Sequence, residues 1–320
     1  ITVWHNVPAP GTKLCSLKNT GNQPVKGHLV VAGIVPQIPQ SEFRFATHYT
    51  DGMVLQAAPQ QAHVWGFCTA DTKSVSVKFE ENDITATVVH EGRNCRWTAL
   101  LPATEASTTA YTIAATTEGS SKSSSPTKVT IQYVLFGDVW VCSGQSNMAY
   151  SLNGSNTEKL VHPPVNNSLE EIADMVNYPY IRLLRAGHQA VDQPVAELAP
   201  ATNGGDKPPV IGWSKPCPSG DVSSCRTDFS NVCWFYGRNV QRVLHERTGK
   251  LRPMGLIGTY VGGTADELWS RPEALKKCLD PSKPIPSTDS SLWNGMINPL
   301  LNTTIKGAVW YQGEADAQHP

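Results

Sequence analysis

One serine in this chain occupies a position that suits a nucleophile. The segment Val139-Trp-Val-Cys-Ser-Gly-Gln-Ser-Asn-Met148 passes from apolar residues to small polar ones, and Ser146 carries the hydroxyl at the turn. A serine hydroxyl at a turn after a strand can attack a carbonyl carbon when a base and oxyanion donors lie nearby. An ordinary turn residue is the alternative, and this segment alone favours it.

Two other short polar motifs also follow predicted strands. Gly262-Gly-Thr264 comes after Met254–Tyr260, and Gln312-Gly-Glu314 comes after Gly307–Tyr311. Ligands bind at the carboxyl ends of the strands in an open parallel sheet, so we expect the motifs to meet Ser146 in one crevice. Because three such motifs are expected to meet, we favour the interpretation of Ser146 as a nucleophile over that of an ordinary turn residue.

The same motifs contain donors for the oxyanion of a tetrahedral intermediate. The backbone N–H groups of Ser146 and Gly263, with the side-chain amide of Gln312, would supply three. Gly262 is the less favoured glycine, because a tight strand end explains it equally well.

Several neighbouring side chains are expected to support the site. Asp138, at the start of the strand before Ser146, is expected to hydrogen-bond backbone near the site, Asn147 to brace the turn, and Glu314 to orient the site. Trp269 and Trp310 could stack on a sugar ring, but positions in the core are favoured.

Composition restricts the class of protein. The chain has 320 residues, 40% of them hydrophobic and 17% charged, with a formal net charge of −1. A length of this order is sufficient for two domains with their own cores. The charge balance gives no basis for nucleic-acid binding, and no stretch of eighteen apolar residues predicts a membrane span.

The pattern of elements divides the chain into three parts. Residues 1–40 are interpreted as a leader segment, 41–134 as a β-sandwich domain and 135–320 as an α/β domain with a parallel sheet. The predicted strands are Ala62–Phe67, Ser74–Phe79, Ile84–His90, Arg96–Leu101, Ala110–Ala115, Lys128–Val134, Asp138–Cys142, Ile181–Leu184, Met254–Tyr260 and Gly307–Tyr311. The polar insert Glu118–Ser125 is interpreted as a loop tip.

Two helices are predicted in the second domain. The first covers Asp228–Thr248, with Asp228 or Ser230 as the cap and Gly249 at the end. Its buried face is expected to contain Phe229, Val232, Val240, Val243 and Leu244. The second covers Ser291–Leu301, with Leu292, Met296 and Leu300 on one face.

Cysteines and sequons indicate a secretory or lysosomal protein. The eight cysteines include no C-x-x-C pair, which disfavours zinc and permits disulfides. Cys217 and Cys225 are the best-placed local pair, whereas Cys142 is interpreted as a buried free thiol. Glycosylation acceptors occur at Asn153, Asn166 and Asn302.

The three motifs resemble the blocks of the SGNH/GDSL-type serine hydrolases, most closely those of the sialate O-acetylesterases. Supporting stretches such as Phe136-Gly-Asp-Val-Trp140 and Leu292-Trp-Asn-Gly-Met-Ile-Asn-Pro299 extend the resemblance over roughly residues 43–316. It implies a flavodoxin-like hydrolase domain after a β-sandwich, with Ser146 as nucleophile and Gln312 where many relatives place Asn.

The resemblance also implies an activity, namely removal of O-acetyl groups from sialic acids such as 9-O-acetyl sialate, without a metal or organic cofactor. Two alternatives stay open. One is an acetylesterase acting on another polysaccharide, and the other is a catalytically silent carbohydrate-binding protein that keeps the fold.

The chain departs from the family pattern at the catalytic base. The family has a D-x-x-H motif well after the Q-G-E block, whereas Asp316-Ala-Gln-His319 lies only four residues past Gln312 and is interpreted as coincidence. Because the chain starts at Ile1 and stops at Pro320, we expect a processed product. A second polypeptide from the same precursor is expected to carry the Asp and His, unless those residues simply continue this chain.

Overall fold

The computed structural model describes residues 42–92, 94–117, 126–157, 160–201, 211–278 and 288–318. The predicted leader 1–40, the insert Glu118–Ser125, Cys15 and His319 lie outside the described residues.

The described residues form a mixed α/β protein, as expected. Its strands are β1 Arg44–Phe45, β2 Val54–Gln56, β3 His63–Cys68, β4 Val75–Phe79, β5 Asn82–Thr85, β6 Thr87–Glu91, β7 Asn94–Leu100, β8 Ser107–Thr117, β9 Lys128–Gly144, β10 Ser155–Thr157, β11 Leu160–His162, β12 Ile181–Arg185, β13 Met254–Tyr260 and β14 Gly307–Tyr311. Its α-helices are α1 Ser146–Ala149, α2 Ser168–Asp174, α3 Asn231–Thr248, α4 Asp266–Trp269 and α5 Pro272–Cys278. Short 3₁₀ turns cover Met175–Asn177, Val222–Ser224, Asn298–Leu300 and Asp316–Gln318, and a π-helical turn covers Trp293–Ile297.

Two sheets in the first part of the molecule share one buried core. One sheet has the order β1-β3-β7-β6, and the other contains β9-β8-β4-β5 with β2 on the far side of β9. Along β4 and β7 buried and more exposed residues alternate, because successive side chains point to opposite faces of a strand. Trp65 and Trp97 of the first sheet and Phe79 of the second belong to this core.

The predicted strand Ile84–His90 is wrong as a single element. The chain instead forms β5 and β6 on either side of Ala86, with β5 in one sheet and β6 in the other. The Ala86 N–H donates to the carbonyl of Val75 at 2.9 Å, which secures this corner. Burial alternates through such a corner as it does along a strand, so the pattern alone cannot reveal the change of sheet.

Strand β9 connects the two halves of the molecule. It is 17 residues long, and the two strands predicted at Lys128–Val134 and Asp138–Cys142 are both parts of it. Its first half pairs with β8 and its second half lies between β13 and β14. The division proposed between residues 134 and 135 therefore falls inside one strand, beside Tyr133, whose φ is 57°.

The second half of β9 belongs to a parallel sheet. The strand order there is β12-β13-β9-β14, and each pair is parallel. The predicted strands Met254–Tyr260 and Gly307–Tyr311 are confirmed at both ends.

Helix α3 covers one face of this sheet. Ser230 caps it by accepting from the Cys233 N–H at 3.1 Å, and Gly249 ends it with φ 67°, so both predicted boundary residues are confirmed. The predicted apolar face is confirmed in part: Phe229 is buried and Val232 and Val240 pack against the core, but the buried residues of the helix itself are Asn231, Cys233, Trp234, Gly237 and Gln241. A Cβ at Gly237 would lie 2.6 Å from Leu256 Cδ1, which shows how closely helix and sheet approach.

Three disulfides connect described cysteines. The predicted pair Cys217–Cys225 is confirmed. The interpretation of Cys142 as a free thiol is wrong, because it bonds to Cys233 and so joins β9 to α3. Sequence spacing cannot show this pairing, since the two residues are 91 positions apart. The third disulfide joins Cys68 and Cys95, which face each other on β3 and β7.

The predicted helix at Ser291–Leu301 is wound differently from an α-helix. A π-turn is followed by a 3₁₀ turn containing Pro299, which has no N–H to donate. Its apolar face is confirmed, because Leu292, Met296 and Leu300 are all buried. No helix within the described ranges is both long and apolar enough to cross a bilayer.

The buried His48 makes stability depend on pH. Complete burial lowers the pKa of His48 to about 3 from an ordinary value of 6.5. The unfolded chain therefore takes up a proton where the folded protein does not, so the free energy of unfolding falls as pH decreases from 6.5 towards 3. The loss is at most about 1.4 kcal/mol per pH unit.

We expect His48→Gln to flatten this pH dependence, because glutamine does not titrate and retains a polar group near the Thr303 hydroxyl, which lies 3.0 Å from His48 Nε2. Urea unfolding at pH 7, 6, 5 and 4 measures the effect. His188→Gln, at an exposed histidine, is the control and should retain the wild-type slope. A wild-type slope in His48→Gln would contradict the prediction.

Candidate active site

The turn after β9 presents Ser146 at the carboxyl edge of the parallel sheet. Gly144 ends the strand with φ 136°, and a side chain there would collide with the Tyr311 carbonyl. Gln145 has φ −109° and ψ −146°, and Ser146 then begins α1 with its side chain exposed. As the first residue of a helix, Ser146 has an N–H without an intrahelical acceptor.

The other two motifs flank this turn. Gly144 is in register with Tyr260 of β13 on one side and Tyr311 of β14 on the other, so the residues after both strands reach the level of Ser146. A Cβ at Gly262 would lie 3.6 Å from the Ser146 Cβ, which is ordinary van der Waals contact. The structure thus brings all three motifs to one edge.

Gly263 occupies a conformation that suits an exposed backbone donor. Its φ is 73°, and a Cβ added to it would meet no atom within 4 Å. The loop is secured by Thr264, whose hydroxyl donates to the Val261 carbonyl at 2.7 Å and accepts from Trp269 Nε1 at 2.9 Å. Trp269 is buried, as expected, whereas Trp310 is 38% exposed.

The Gln312 amide lies in this edge but is engaged with protein atoms. Its Nε2 is within hydrogen-bond range of the Thr264 carbonyl at 3.2 Å, of Gln145 Oε1 at 3.4 Å and of the Asp316 carboxylate. An amide has two N–H donors, so these acceptors compete.

Gln145 connects the nucleophile turn to the loop after β14, a role that sequence reasoning missed. Its side chain is buried, and Oε1 accepts from the Ala315 N–H at 3.2 Å as well as from Gln312. The sequence feature that could have indicated this role is the position of Gln145 directly before Ser146.

Asn147 and Glu314 join two motifs directly. The Asn147 side-chain amide donates to the Glu314 carboxylate, and both residues are exposed. This contact lies beside Ser146, so both residues are where supporting side chains were expected.

Asp138 is placed elsewhere, which corrects its expected position near the site. It lies six residues before Gly144, the last residue of β9, which at about 3.3 Å per residue puts it about 20 Å from the end of the strand that precedes Ser146. Its buried carboxylate forms an ion pair with Arg252 at 2.8 Å and accepts from Gln56 Nε2 at 3.3 Å. Asp138 pairs with Met254, the first residue of β13, so it lies at the amino end of the parallel strands, whereas Ser146 lies at the carboxyl end.

Among the described side chains, no histidine hydrogen-bonds the Ser146 hydroxyl. Asp316, the first residue of the D-x-x-H sequence, accepts a hydrogen bond from the Asp266 N–H at 3.0 Å and contacts Gln312. Burial, followed by the charges of Asp316 and Glu267, raises the pKa of Asp266. Within these same ranges, no group of three or more His, Cys, Asp or Glu residues could hold a metal ion.

Comparison with known proteins gives a consistent result. The chain is 31% identical over 316 residues to the sialate O-acetylesterase of Rattus norvegicus, and 31% identical over 287 residues to that of Homo sapiens. Both alignments cover 87% of this chain but only 53% and 50% of those proteins. The chain thus spans about half the length of the curated relatives it matches. The resemblance to sialate O-acetylesterases inferred from the motifs is confirmed.

A solved structure agrees with the sequence comparison. The carbohydrate acetylesterase XAC1771 from Xanthomonas citri superimposes with a TM-score of 0.63 at 25% identity, covering 86% of this chain and 52% of that one. No family model matches the chain.

We expect Gln145→Ala to destabilise the protein by about 1 to 3 kcal/mol, because its buried acceptor serves both Ala315 and Gln312. Thermal and urea unfolding measure the change. Gln132→Ala, at an exposed glutamine on β9, should stay within about 0.5 kcal/mol of wild type. Equal stability of the two variants would show that Gln145 does not hold the loops together.

Proposed function

We propose that this chain, a relative of sialate O-acetylesterases by sequence, contributes the nucleophile and oxyanion hole of a serine esterase that removes O-acetyl groups from sugars. We also propose that its parallel sheet is part of an SGNH-type flavodoxin-like domain preceded by a β-sandwich. The observation that carries the proposal is the meeting of three motifs from neighbouring parallel strands around the exposed Ser146.

In the proposed reaction, Ser146 Oγ attacks the acetyl carbonyl carbon and its proton passes to a base. The N–H groups of Ser146 and Gly263 stabilise the negative charge that develops on the carbonyl oxygen. Gln312 adds a third donor by exchanging one of its present acceptors for the substrate oxygen. The sugar hydroxyl leaves with a proton, and water then releases acetate from the acyl-enzyme.

The Asp and His that activate Ser146 are proposed to come from a second polypeptide of the same precursor, or from further residues of this chain. Strand β14 supports an additional partner, because in the described structure it pairs with β9 alone. Its residues Trp310 and Tyr311 are 38% and 40% exposed. An apolar strand at the edge of a sheet is normally covered by another element.

The substrate is proposed to be an O-acetylated sialic acid, such as 9-O-acetyl sialate, following the names of the curated relatives. The second candidate is an acetylated neutral polysaccharide, which the carbohydrate acetylesterase neighbour favours. Both candidate substrates would be cleaved at an acetyl ester bond, and they differ in the sugar that carries it.

A secretory or lysosomal location is part of the proposal. Three disulfides among described residues suit an oxidising compartment. Of the sequon asparagines, Asn153 and Asn166 are exposed and Asn302 is half-buried. All three are proposed to carry glycans.

Acetate release tests the activity. We expect the purified protein to release acetate from 9-O-acetyl N-acetylneuraminic acid, and Ser146→Ala to lower kcat by at least about 10⁴-fold, because the nucleophile is lost. Mass spectrometry of the same sample counts its polypeptides. Ser151→Ala, at a serine in the loop after α1, should retain activity. No release by wild type, with a D-x-x-H-bearing polypeptide present, would favour the silent binding protein.

Gly263→Ala tests the oxyanion hole. A side chain at φ 73° strains the turn that aims the N–H, so kcat should fall by about 10²- to 10³-fold. Gly220→Ala is the matched control, because Gly220 also has a positive φ, 77°, and open space around its Cβ position, but lies in another loop. If both variants keep wild-type kcat, Gly263 is not a donor.

A further inference from the structure

Two arginines lie together near the carboxyl edge of the sheet, outside the motifs around Ser146. Arg185 ends β12, and its Nη1 is 3.3 Å from Asp228 Oδ2. Arg226 Nε is 3.0 Å from Asp228 Oδ1. The side chains of Arg185, Arg226 and Asp228 are 34%, 25% and 40% exposed, so solvent reaches all three.

These three side chains have an excess of positive charge, with two guanidinium groups sharing one carboxylate. Burial acts to raise the pKa of Asp228, but hydrogen bonding and charge from Arg226 and the charge of Arg185 outweigh it, so this pKa lies below its ordinary value. The carboxylate is therefore ionised at neutral pH, and the trio has a net charge of +1. Five N–H donors on each guanidinium exceed what one carboxylate can accept.

Hydrogen bonds connect this cluster to the segment that follows the nucleophile. Thr227 lies between Arg226 and Asp228 in the chain. Its Oγ1 accepts a hydrogen bond from Asn153 Nδ2 at 2.8 Å. The Asn231 N–H donates to the Tyr150 carbonyl at 2.8 Å, and Ser230 Oγ lies 3.4 Å from Met148 Sδ. Since Met148 is two residues after Ser146, the cluster and the nucleophile belong to one rim of the sheet.

We propose that Arg185 and Arg226 form a subsite that binds the carboxylate of an acidic sugar while its acetyl ester lies at Ser146. The inference rests on the proposed function and adds the source of selectivity for sialic acids over neutral sugars. Guanidinium groups bind carboxylates through paired, charge-assisted hydrogen bonds, and Asp228 holds the two groups side by side. A neutral sugar has no carboxylate and would not form these charge-assisted pairs.

Binding of the free sugar tests the subsite without requiring catalysis. Titration calorimetry or ligand-observed NMR compares N-acetylneuraminic acid with its methyl ester, which lacks the negative charge. We expect the acid to bind wild type about tenfold more tightly than the ester, and Arg185→Gln or Arg226→Gln to remove that preference. Arg242→Gln is the control, because Arg242 forms a 2.7 Å ion pair with Glu246 on the exposed surface of α3.

Thermal unfolding of each variant shows whether it is folded, and the Arg185→Lys variant, which keeps the charge, should retain part of the preference. Equal binding of acid and ester by wild type, or a preference that survives both glutamine substitutions, would overturn the subsite.

Kinetics separates this inference from the proposed function. For 9-O-acetyl N-acetylneuraminic acid relative to a neutral acetylated sugar, we expect the ratio of kcat/KM values to fall about tenfold in Arg185→Gln, mainly through KM. Hydrolysis of both substrates with an unchanged ratio would overturn the subsite and leave the esterase intact. Hydrolysis of neither substrate by wild type would overturn the proposed function, and the binding comparison would then decide the subsite by itself.

Discussion

The continuous strand β9 holds the two halves of the molecule together. Its first half is a member of the sheet that shares a core with β3 and β7, and its second half is the middle of the parallel sheet. The strand that ends at Ser146 is therefore anchored along its whole length. Asp138 lies within the strand, and its buried carboxylate forms an ion pair with Arg252. The position of the site is thus coupled to the packing of the first sheets.

At the carboxyl edge, small residues and buried amides replace apolar packing. Gly144 allows β14 to approach, Gly263 adopts a positive φ, and the Gln145 side chain joins the two loops. An oxyanion site needs donors that are already oriented before the reaction, and a network of satisfied hydrogen bonds provides that orientation. The competition among acceptors for Gln312 shows that the same residues which hold the edge together are those proposed to act on the substrate.

A cluster of charged residues lies on the same rim of the sheet. The disulfide Cys142–Cys233 fixes α3 against β9, and the loop before α3 carries Arg226 and Asp228 next to Arg185. In the proposed reaction, ester cleavage uses a base and the neutral donors near Ser146, whereas the proposed recognition of an acidic sugar uses cations away from the bond that breaks. The carboxyl ends of β12, β13, β9 and β14 face the same side, so the proposed oxyanion donors and the arginine pair lie towards one edge of the sheet.

Local sequence patterns were sufficient to predict the parallel strands β13 and β14, the last residue of α3, the candidate nucleophile and the family resemblance. These features depend on the spacing of apolar residues, on capping residues and on short motifs. All three involve residues that are close together in the sequence. The folded chain was needed to show that β9 is one strand, that Cys142 bonds to Cys233, that Asp138 lies far from Ser146 and that Gln145 connects two loops. Each of these depends on which distant residues pack together, and a pattern of local spacing does not contain that information.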